Sequence, residues 1–433
     1  MTETPPTLAP TTLAPTLAGL TRAFLAVGIL SFGGPAAQIA LMHRLAVEDR
    51  GWLDEGQFLR ALNFCMLLPG PEAQQLATYI GWRLKGWRGG VIAGGLFVLP
   101  GALVMLALSV AYVLFATSPL IGGLFFGIKA AVLAIVLEAL IRISRRVLKQ
   151  RQAQAVAVAA LLAVGLFALP FPLVVAGAAL AGALLFAAAA EAPPAAARPA
   201  AAGLWPAAIA ALLWLAPLGL IAATLGPGHV LFEIGAFFAK LAVVTFGGAY
   251  AILAYLAEQA VGRGWASPAD MLTGLGLAET TPGPLILVTQ FAGFLGAYRA
   301  PEPFAPLAAG LLGAAVTTWV TFAPSFLWIF AGAPWLETLQ ANRRLAAALQ
   351  GITAAVVGVM AHLAAWFALH ALFAAVETVR LGPVRLLVPD PASFDVRAAV
   401  LAAIAMALVF VARRGLVATV AIMAGLGVLA SLI

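Results

Sequence analysis

The chain has 433 residues, of which 63% are hydrophobic and only 9% are Asp, Glu, Lys or Arg. An ordinary soluble domain carries about 25% charged residues, and a protein of this size cannot cover its surface with so few charges. A single hydrophobic core cannot absorb this much apolar sequence either. The composition predicts a polytopic membrane protein. It excludes a soluble enzyme, a nucleic-acid-binding protein and a disordered scaffold.

The remaining composition argues against chemistry that depends on a cofactor. The formal net charge of +7 is attributed to short loops, where basic residues set the orientation of membrane segments. Cys65 is the single cysteine, so no internal disulfide and no cysteine-based metal site can form. The histidines are scattered, and no phosphate-binding Gly-Lys loop is present. We therefore predict no enzymatic activity, no cofactor and no metal.

Long apolar segments follow one another along the whole chain. Each is predicted to be a helix, because an open strand cannot satisfy its backbone polar groups in lipid. Residues 1–16 are predicted to form a loose tail, and the Ala- and Pro-rich run at 187–203 a linker. The segments fall at about 17–42, 57–82, 89–116, 120–147, 153–169, 171–190, 203–225, 230–257, 269–296, 304–331, 345–374, 397–412 and 415–432.

Five motifs recur in the same order in the two halves of the chain, which indicates a tandem duplication. The first copy covers residues 17–190 and the second 230–433, and the region 187–229 holds the linker and an extra membrane segment. The matched motifs are Ser31-Phe32-Gly33-Gly34 with Thr245-Phe246-Gly247-Gly248, Arg50-Gly51-Trp52 with Arg263-Gly264-Trp265, Pro69-Gly70-Pro71 with Pro282-Gly283-Pro284, Val98-Leu99-Pro100-Gly101 with Phe322-Ala323-Pro324-Ser325, and Gly127-Ile128-Lys129-Ala130-Ala131-Val132 with Gly351-Ile352-Thr353-Ala354-Ala355-Val356.

The number of segments bears on the relative orientation of the copies. Six crossings plus one extra crossing would place the second copy upside down, as in many secondary transporters. With the N-terminus inside, most basic loop residues lie on the cytoplasmic side. The Pro-Gly-Pro segments leave an alternative open, because each could be a re-entrant hairpin. The positions of Arg343, Arg344, Arg413 and Arg414 favour spanning segments.

Helix breaks that match in both copies predict a binding site. Proline and glycine interrupt helices and leave backbone N–H groups that suit an anion. The alternative is a simple kink, or close helix packing through glycine. The predicted substrate-binding residues are Gly33, Gly34, Asn63, Pro69, Gly70, Pro71, Gln74, Gln75, Lys129, Lys240, Gly247, Gly248, Thr280, Thr281, Gly283 and Gln290.

Acidic residues near the breaks are candidates for proton coupling. A charged side chain in the membrane usually faces a cavity and marks an ion pathway or a proton relay. Glu72, Glu279 and Glu138 are predicted to have this role, although a capping role for Glu72 stays open. For Lys129 and Lys240 the alternative to substrate contact is an internal ion pair or an extended position that reaches the interface.

Several stretches resemble a known family. SFGGPAAQIALMHR at 31–44 and LNFCMLLPGPEAQQLATYIGW at 62–82 resemble signature stretches of the chromate ion transporter family. TFGGAYA at 245–251 and ETTPGP at 279–284 resemble its C-terminal half. The resemblance covers about residues 20–375 and fits the long-chain, two-domain form. It implies a bacterial inner-membrane protein that exports chromate, driven by the membrane potential or a proton gradient, with sulfate as a related oxyanion.

The sequence thus predicts an all-α polytopic membrane protein of two homologous six-segment repeats, inverted relative to one another and broken at Gly-Gly and Pro-Gly-Pro. Chromate would bind between two homologous bundles near the midplane, and one bundle would rock against the other. Two alternatives stay open: a carrier for sulfate or oxyanions in general, and a passive anion channel. The bilayer is the expected surrounding, and a homodimer is compatible with this reading.

Overall fold

The computed structural model describes residues 15–115, 118–186, 204–246, 249–336 and 342–432. Most of the predicted tail, the linker at 187–203 and the glycines Gly247 and Gly248 lie outside the described residues. The α-helices are α1 (Leu17–Leu30), α2 (Gly34–His43), α3 (Glu55–Leu67), α4 (Glu72–Phe115), α5 (Pro119–Val147), α6 (Arg151–Gly165), α7 (Phe171–Leu185), α8 (Leu204–Thr224), α9 (Val230–Val244), α10 (Ala249–Gly262), α11 (Pro268–Thr280), α12 (Val288–Arg299), α13 (Pro306–Gly332), α14 (Arg343–Leu372), α15 (Val396–Met406) and α16 (Leu416–Leu432).

Helix lengths confirm a polytopic helical membrane protein. Five described helices are long and apolar enough to span a membrane, namely α4, α5, α8, α13 and α14. One feature was not predicted: after α14 the chain forms an antiparallel hairpin of β1 (Val376–Leu381) and β2 (Val384–Pro389). The strand β1 is mostly exposed, whereas β2 is mostly half-buried, because Arg385 of β2 contacts Leu166 and Glu258 at this end of the helices.

The long helix α4 consists of two arms. Lys85 and Gly86 have non-helical backbone angles, which separate a short arm at 72–84 from a long arm at 87–115. The two arms pack side by side: a Cβ added to Gly81 would lie 2.2 Å from the carbonyl oxygen of Gly89. The short arm therefore folds back along the long arm, and small residues permit this close approach.

The second Pro-Gly-Pro segment is a hairpin. Arg299, at the end of α12, forms a 2.9 Å ion pair with Asp270, at the start of α11. Asp270 also accepts a 2.5 Å hydrogen bond from Tyr112 of the long arm of α4. If α11 and α12 ran on in one direction, residues 270 and 299 would be about 40 Å apart. The two helices instead return to the same end of the protein.

The first Pro-Gly-Pro segment is built in the same way. The rings of Phe64, in α3, and Tyr79, in the short arm of α4, lie 6.3 Å apart. The preference for spanning segments is therefore wrong, and the re-entrant alternative describes both copies. The physical cause is the turn itself, because Gly70 and Gly283 have φ angles of +114° and +91° that reverse the chain.

The two hairpins open toward different ends of α13. Phe64 of the first hairpin lies against Gly332, the last residue of α13, whereas Arg299 of the second hairpin precedes the first turn of α13. We call the first end the basic end, because Lys85, Arg146 and Arg343 lie there, and the other the β-hairpin end. The tips of the two hairpins meet at one cavity, where Gly70 of the first tip also lies beside Ser325 of α13.

Helices of the two copies interleave, so the expected pair of separate homologous bundles is wrong. The helix α5 of the first copy packs mainly on α16 of the second, where Gly127 touches the backbone of Met423. The helix α14 packs mainly on α7 and α6, with Gly351 against Gly182. Glycines on facing helices allow backbone contact that larger residues would prevent. One bundle therefore consists of α5–α7 and α14–α16.

The extra segment α8 is fastened to α13 by a hydrogen bond that a proline makes possible. Pro324 has no N–H to donate to the carbonyl oxygen of Val320 one turn earlier. The indole Nε1 of Trp214, in α8, donates to this carbonyl at 3.0 Å. The indole of Trp319 donates in return to the carbonyl of Leu213 at 2.9 Å. The connecting helix is therefore part of the fold and not a loose linker.

We expect Asp270→Ala to lower the stability by about 2 kcal/mol, because it removes the hydrogen bonds that the carboxylate accepts from Tyr112 and Ser267 and the partly exposed ion pair with Arg299. The measurement is the unfolding midpoint of purified protein in detergent. Gln57→Ala is the matched control, because Gln57 occupies the equivalent capping position of α3 and has no ion pair. Equal midpoints for the two variants would contradict the role of this ion pair.

Candidate functional site

The breaks of the two copies are joined to one another at the centre of the protein. The backbone N–H of Gly70 donates to the carbonyl of Thr245 at 2.8 Å, and the N–H of Gly283 donates to the carbonyl of Ser31 at 2.9 Å. Gly70 corresponds to Gly283 and Ser31 to Thr245 in the repeat, so the same bond is made twice. Each Pro-Gly-Pro tip is thus held by the Gly-Gly break of the other copy.

Two buried glutamines satisfy further backbone groups at the tips. Gln38 Nε2 donates to the carbonyl of Gly283 at 2.7 Å, and Gln75 Nε2 donates to the carbonyl of Pro69 at 2.6 Å. The Oε1 atoms of both side chains are buried and have no hydrogen-bond partner among the described residues. Unpaired buried acceptors are costly, and a water molecule, which can donate to them, is the guest that suits these oxygens in this conformation.

A small cavity lies where the breaks meet. Its volume of about 20 Å³ accommodates one water-sized guest but no tetrahedral oxyanion, so the centre is closed in this conformation. The helices α2 and α4 begin at this cavity, as does the turn that precedes α12. Their N-termini carry positive partial charge, which favours an anion. The lining residues are Pro35, Gln38, Gly70, Pro71, Glu72, Ala73, Thr245, Pro284, Leu285 and Ile286.

Glu72 is the acidic residue that lines this cavity. It is the first residue of α4, and no hydrogen bond or ion pair involves its carboxylate among the described residues. Its charge interacts at longer range with Arg146 of α5. A carboxylate at an anion-attracting helix terminus repels a bound anion unless it takes up a proton. This position suits a group that changes its protonation when an anion binds.

A cleft lies at the basic end, because α2 and α3 of the first copy do not pack on α5 or α14 as α10 and α11 of the second copy do. Met66 of α3 is 44% exposed, whereas its equivalent in the second copy, Glu279, is 4% exposed. Glu138 and Arg142 of α5 form a 3.2 Å ion pair, and their side chains are 39% and 56% exposed. Charged groups this far along a membrane helix face water and not lipid. The cleft is therefore open to solvent.

The β-hairpin end is closed over the same region. The helices α10 and α11 pack against α14 and α5, with Gly276 of α11 against Ile128 of α5. Glu258 of α10 contacts His362 of α14 at 2.8 Å and Arg385 of β2 at 2.7 Å. The second copy is thus packed against the bundle at the β-hairpin end.

The helices α2 and α3 are joined at the basic end by a histidine. His43 Nε2 lies 2.7 Å from a carboxylate oxygen of Glu55, and Nδ1 lies 3.1 Å from Glu48. The hydrogen bond with Glu55 raises the pKa of the His43 imidazole above its usual value. The ring of Phe58 packs edge-on against His43. These contacts hold α2 and α3 together as one unit.

The structure brings together some of the residues predicted from sequence. Pro69, Gly70, Pro71 and Glu72 lie at the cavity, and Gly283 is bonded to the Ser31 carbonyl beside it. Gly33 and Gly34 form the break between α1 and α2. Gln74 and Gln290 are buried beside a separate apolar groove between α4 and α13, where their amides bond to the carbonyls of Phe322 and Ala102.

Other predicted residues lie away from the cavity. Lys129 interacts with Asp270 toward the β-hairpin end, and Lys240 is exposed on α9. Asn63 is exposed in the cleft. The remaining three are committed to local bonds: the hydroxyls of Thr280 and Thr281 donate to carbonyls of α11, and Glu279 accepts from Tyr250. A position within an apolar segment or near a break in the sequence therefore did not predict that these side chains lie at the cavity.

Sequence reasoning missed Ser31, Gln38, Thr245 and Arg146. Ser31 and Thr245 stand in the repeated motifs, but the motif predicts binding only through the glycines that follow them. Gln38 is a polar residue in an otherwise apolar stretch of α2, and that was the available signal. Arg146 is one of several basic residues at the end of α5, of the kind that sets membrane orientation, and only the packing of α5 brings its charge within range of Glu72.

Comparisons with known proteins agree with this architecture. The family model described as "Chromate transporter" matches residues 18–183 and 232–430, one match for each copy. A chromate transport protein of Pseudomonas aeruginosa is 35% identical over 344 residues, which is 78% of this chain and 77% of that protein. A chromate transport protein of Cupriavidus metallidurans is 30% identical, covering 77% of this chain and 78% of the relative.

More distant relatives include a probable chromate transport protein of Synechococcus elongatus, 28% identical over 79% of this chain and 82% of the relative. No solved structure matches this chain. The family match covers both copies, and the similarity to the curated relatives extends over more than three quarters of their length. On this basis the chain belongs to the chromate transporter family and is a multi-pass membrane transporter, not an enzyme.

Proposed function

We propose that this protein exports chromate from the cytoplasm across the inner membrane of a bacterium, as a secondary transporter that works by alternating access. The observation that carries the proposal is the small central cavity where breaks of both copies meet, together with the unequal packing of the two copies at the two ends of the protein. A passive channel would need a continuous pore. A carrier needs a central site that faces one side at a time.

The distribution of basic residues supports a cytoplasmic position for the basic end, following the positive-inside rule. The loops at the β-hairpin end carry fewer basic residues, namely Arg263, Arg299, Arg380, Arg385 and Arg397. The basic end holds Arg44, Arg50, Arg83, Lys85, Arg88, Arg142, Arg145, Arg146, Lys149, Arg151, Arg343, Arg344, Arg413 and Arg414. If the Pro-Gly-Pro segments spanned the membrane, Arg44 and Arg50 would lie outside and Arg263 inside. The hairpins instead place Arg44 and Arg50 inside and Arg263 outside.

The packing of equivalent helices supports inverted repeats. Pro100 in the long arm of α4 corresponds to Pro324 in α13. These two helices run antiparallel, since Gly94 lies against Phe326 and Gly90 lies against Phe330. Equivalent helices that run in opposite directions are what an axis in the membrane plane produces.

Chromate would bind where the helix N-termini meet, after the cavity widens. The dianion would accept hydrogen bonds from backbone N–H groups that follow the breaks, namely those of Gly34 at the start of α2, of Glu72 and Ala73 at the start of α4, and of Leu285 and Ile286 before α12. Arg142 and Arg146, beside the open cleft, would attract the anion from the cytoplasm. Gln38 and Gln75 would turn their amides toward it.

Glu72 would couple the anion to a proton. With the dianion bound, the carboxylate of Glu72 takes up one proton, and on release outside it loses the proton. Each cycle then moves two negative charges and one positive charge outward. The net charge is one negative, so the inside-negative potential favours export by about 2.3 kcal/mol per 100 mV.

The direct test is chromate flux in everted membrane vesicles that contain the protein, with vesicles lacking it as the control. We expect saturable accumulation that requires an imposed potential and resists excess sulfate. Equal or faster sulfate movement would make the protein a general oxyanion carrier. Flux that does not saturate would indicate a channel, and no flux of either ion would contradict the proposal.

We expect Glu72→Gln to lower chromate flux at least tenfold or to abolish its dependence on pH, because the amide cannot exchange a proton. The measurement is flux between about pH 6 and pH 8 in the same vesicles. Glu233→Gln is the control, since Glu233 is exposed at the start of α9. A normal pH profile in Glu72→Gln would remove Glu72 from the coupling step.

Arg146→Ala should raise the half-saturation concentration for chromate by about threefold to tenfold at low salt, because it removes a positive charge near the cleft. Lys240→Ala is the matched control and should leave it unchanged, since Lys240 is exposed on α9. The opposite pattern would return the lysine to the binding site and exclude Arg146.

A further inference from the structure

The two copies of the repeat pack differently although their sequences correspond. In the second copy, α10 and α11 lie against α14 and α5. In the first copy, α2 and α3 make no comparable contact with the bundle among the described residues, and their exposed side faces the cleft. The second copy therefore shows how the first copy would pack if the basic end closed.

A group of three side chains, one acidic and two basic, holds the closed end. Glu258 of α10 contacts His362 of α14 and Arg385 of β2, and no more than 22% of any of these side chains is exposed. The ring of Tyr255, also in α10, stacks on Phe171 of α7 at 5.7 Å. An acid between two basic groups thus fastens the hairpin helix α10 to the bundle.

The first copy carries this pair with the charges exchanged. Arg44 follows Gly34 by ten residues, as Glu258 follows Gly248, and Glu138 follows Gly127 by eleven residues, as His362 follows Gly351. The first copy has one more residue than the second between its Gly-Gly and Arg-Gly-Trp motifs. A π-helix at Arg44–Asp49 accommodates an extra residue without breaking the helix. The alignment of the two copies from the Gly-Gly motif therefore holds without a gap through α2 as far as Arg44.

In this conformation the exchanged pair is apart. Arg44 is exposed, and its guanidinium forms no hydrogen bond or ion pair among the described residues. Glu138 contacts Arg142 one turn along its own helix, a partly exposed pair of the kind that contributes little to stability. Both residues of the first copy are thus available for another partner.

We propose that Arg44 and Glu138 form the ion pair that closes the basic end in the other conformation of the transport cycle, as Glu258 and His362 close the β-hairpin end in this one. The inference rests on the alternating access proposed above and names its gate. Glu138 would then lie between Arg44 and Arg142, as Glu258 lies between His362 and Arg385. Because His43 joins α2 to α3, both helices would move together.

Exchanging one pair for the other keeps the two conformations close in free energy. If the interactions that close one end were much more stable than those that close the other, one conformation would predominate and the other would be sparsely populated. Forming one ion pair while breaking its counterpart largely cancels the two contributions. The requirement is reciprocal, so weakening one pair must increase the population in which the other is formed.

Disulfide formation tests the pair without any transport measurement. The variant Cys65→Ala, Arg44→Cys, Glu138→Cys is oxidised in membranes, and the linked peptides are quantified by mass spectrometry. We expect a disulfide, and adding Glu258→Gln should increase its initial rate at least about fivefold, because it weakens the opposite pair. Arg44→Cys with Leu140→Cys is the control, since Leu140 lies on another side of α5.

The outcomes separate the gate from the proposed function. A rate no higher than the control pair, with and without Glu258→Gln, would overturn the gate even in a protein that transports chromate. A disulfide that forms in a protein without chromate flux would keep the gate and contradict the proposed substrate. A monodisperse size-exclusion profile for every variant excludes misfolding as the cause.

Charge exchange is the second test. Arg44→Glu and Glu138→Arg should each reduce flux at least about tenfold, because like charges then meet when the basic end closes. The double variant should recover flux to within about threefold of the unmodified chain. Arg44→Glu with Glu48→Arg is the control and should not recover, since Glu48 contacts His43 and lies on the same segment. No recovery in the double variant would contradict the pairing.

Discussion

The structure depends on a constraint imposed by lipid: an interrupted helix exposes backbone groups that only protein or enclosed water can satisfy. Here the breaks satisfy each other. The N–H of Gly70 bonds to Thr245, the N–H of Gly283 bonds to Ser31, and Gln38 adds a bond to Gly283. Because every one of these contacts joins one copy to the other, neither copy can form its centre alone. The central site therefore exists only because the chain contains both copies of the repeat.

The same pairing makes the centre suitable for an anion. Helices that restart after a break direct their N-termini inward, so positive partial charge accumulates without a lysine at the cavity. The carboxylate of Glu72 opposes that field, and in the proposed mechanism its protonation sets the affinity of the cavity for an anion. The acid belongs to one copy only, since Leu285 occupies the equivalent position beside Pro284. The two halves of the centre thus have corresponding backbone breaks, but only the first half carries an acidic side chain at this position.

Asymmetry between the copies extends to their packing. The second hairpin is buried and fastened at its base by Asp270, Arg299 and Tyr112, whereas Met66 of the first hairpin is open to the cleft. Because the two hairpins have corresponding sequences, the packing observed for the second hairpin is expected to be accessible to the first as well. The same reasoning links the closed end at Glu258 to the open end at Arg44, where the charges are reversed.

The sequence by itself determined the class of protein, the duplication and the location of the breaks, because composition, repeated motifs and proline act locally. It also supplied Glu72, whose neighbours in the chain are its neighbours in space. Only the tertiary structure decided that each Pro-Gly-Pro segment turns back, that the bundles interleave, and that Lys129 lies near Asp270 and not near the cavity. Chain direction after a glycine with positive φ depends on partners from the other copy, and no local pattern encodes those partners.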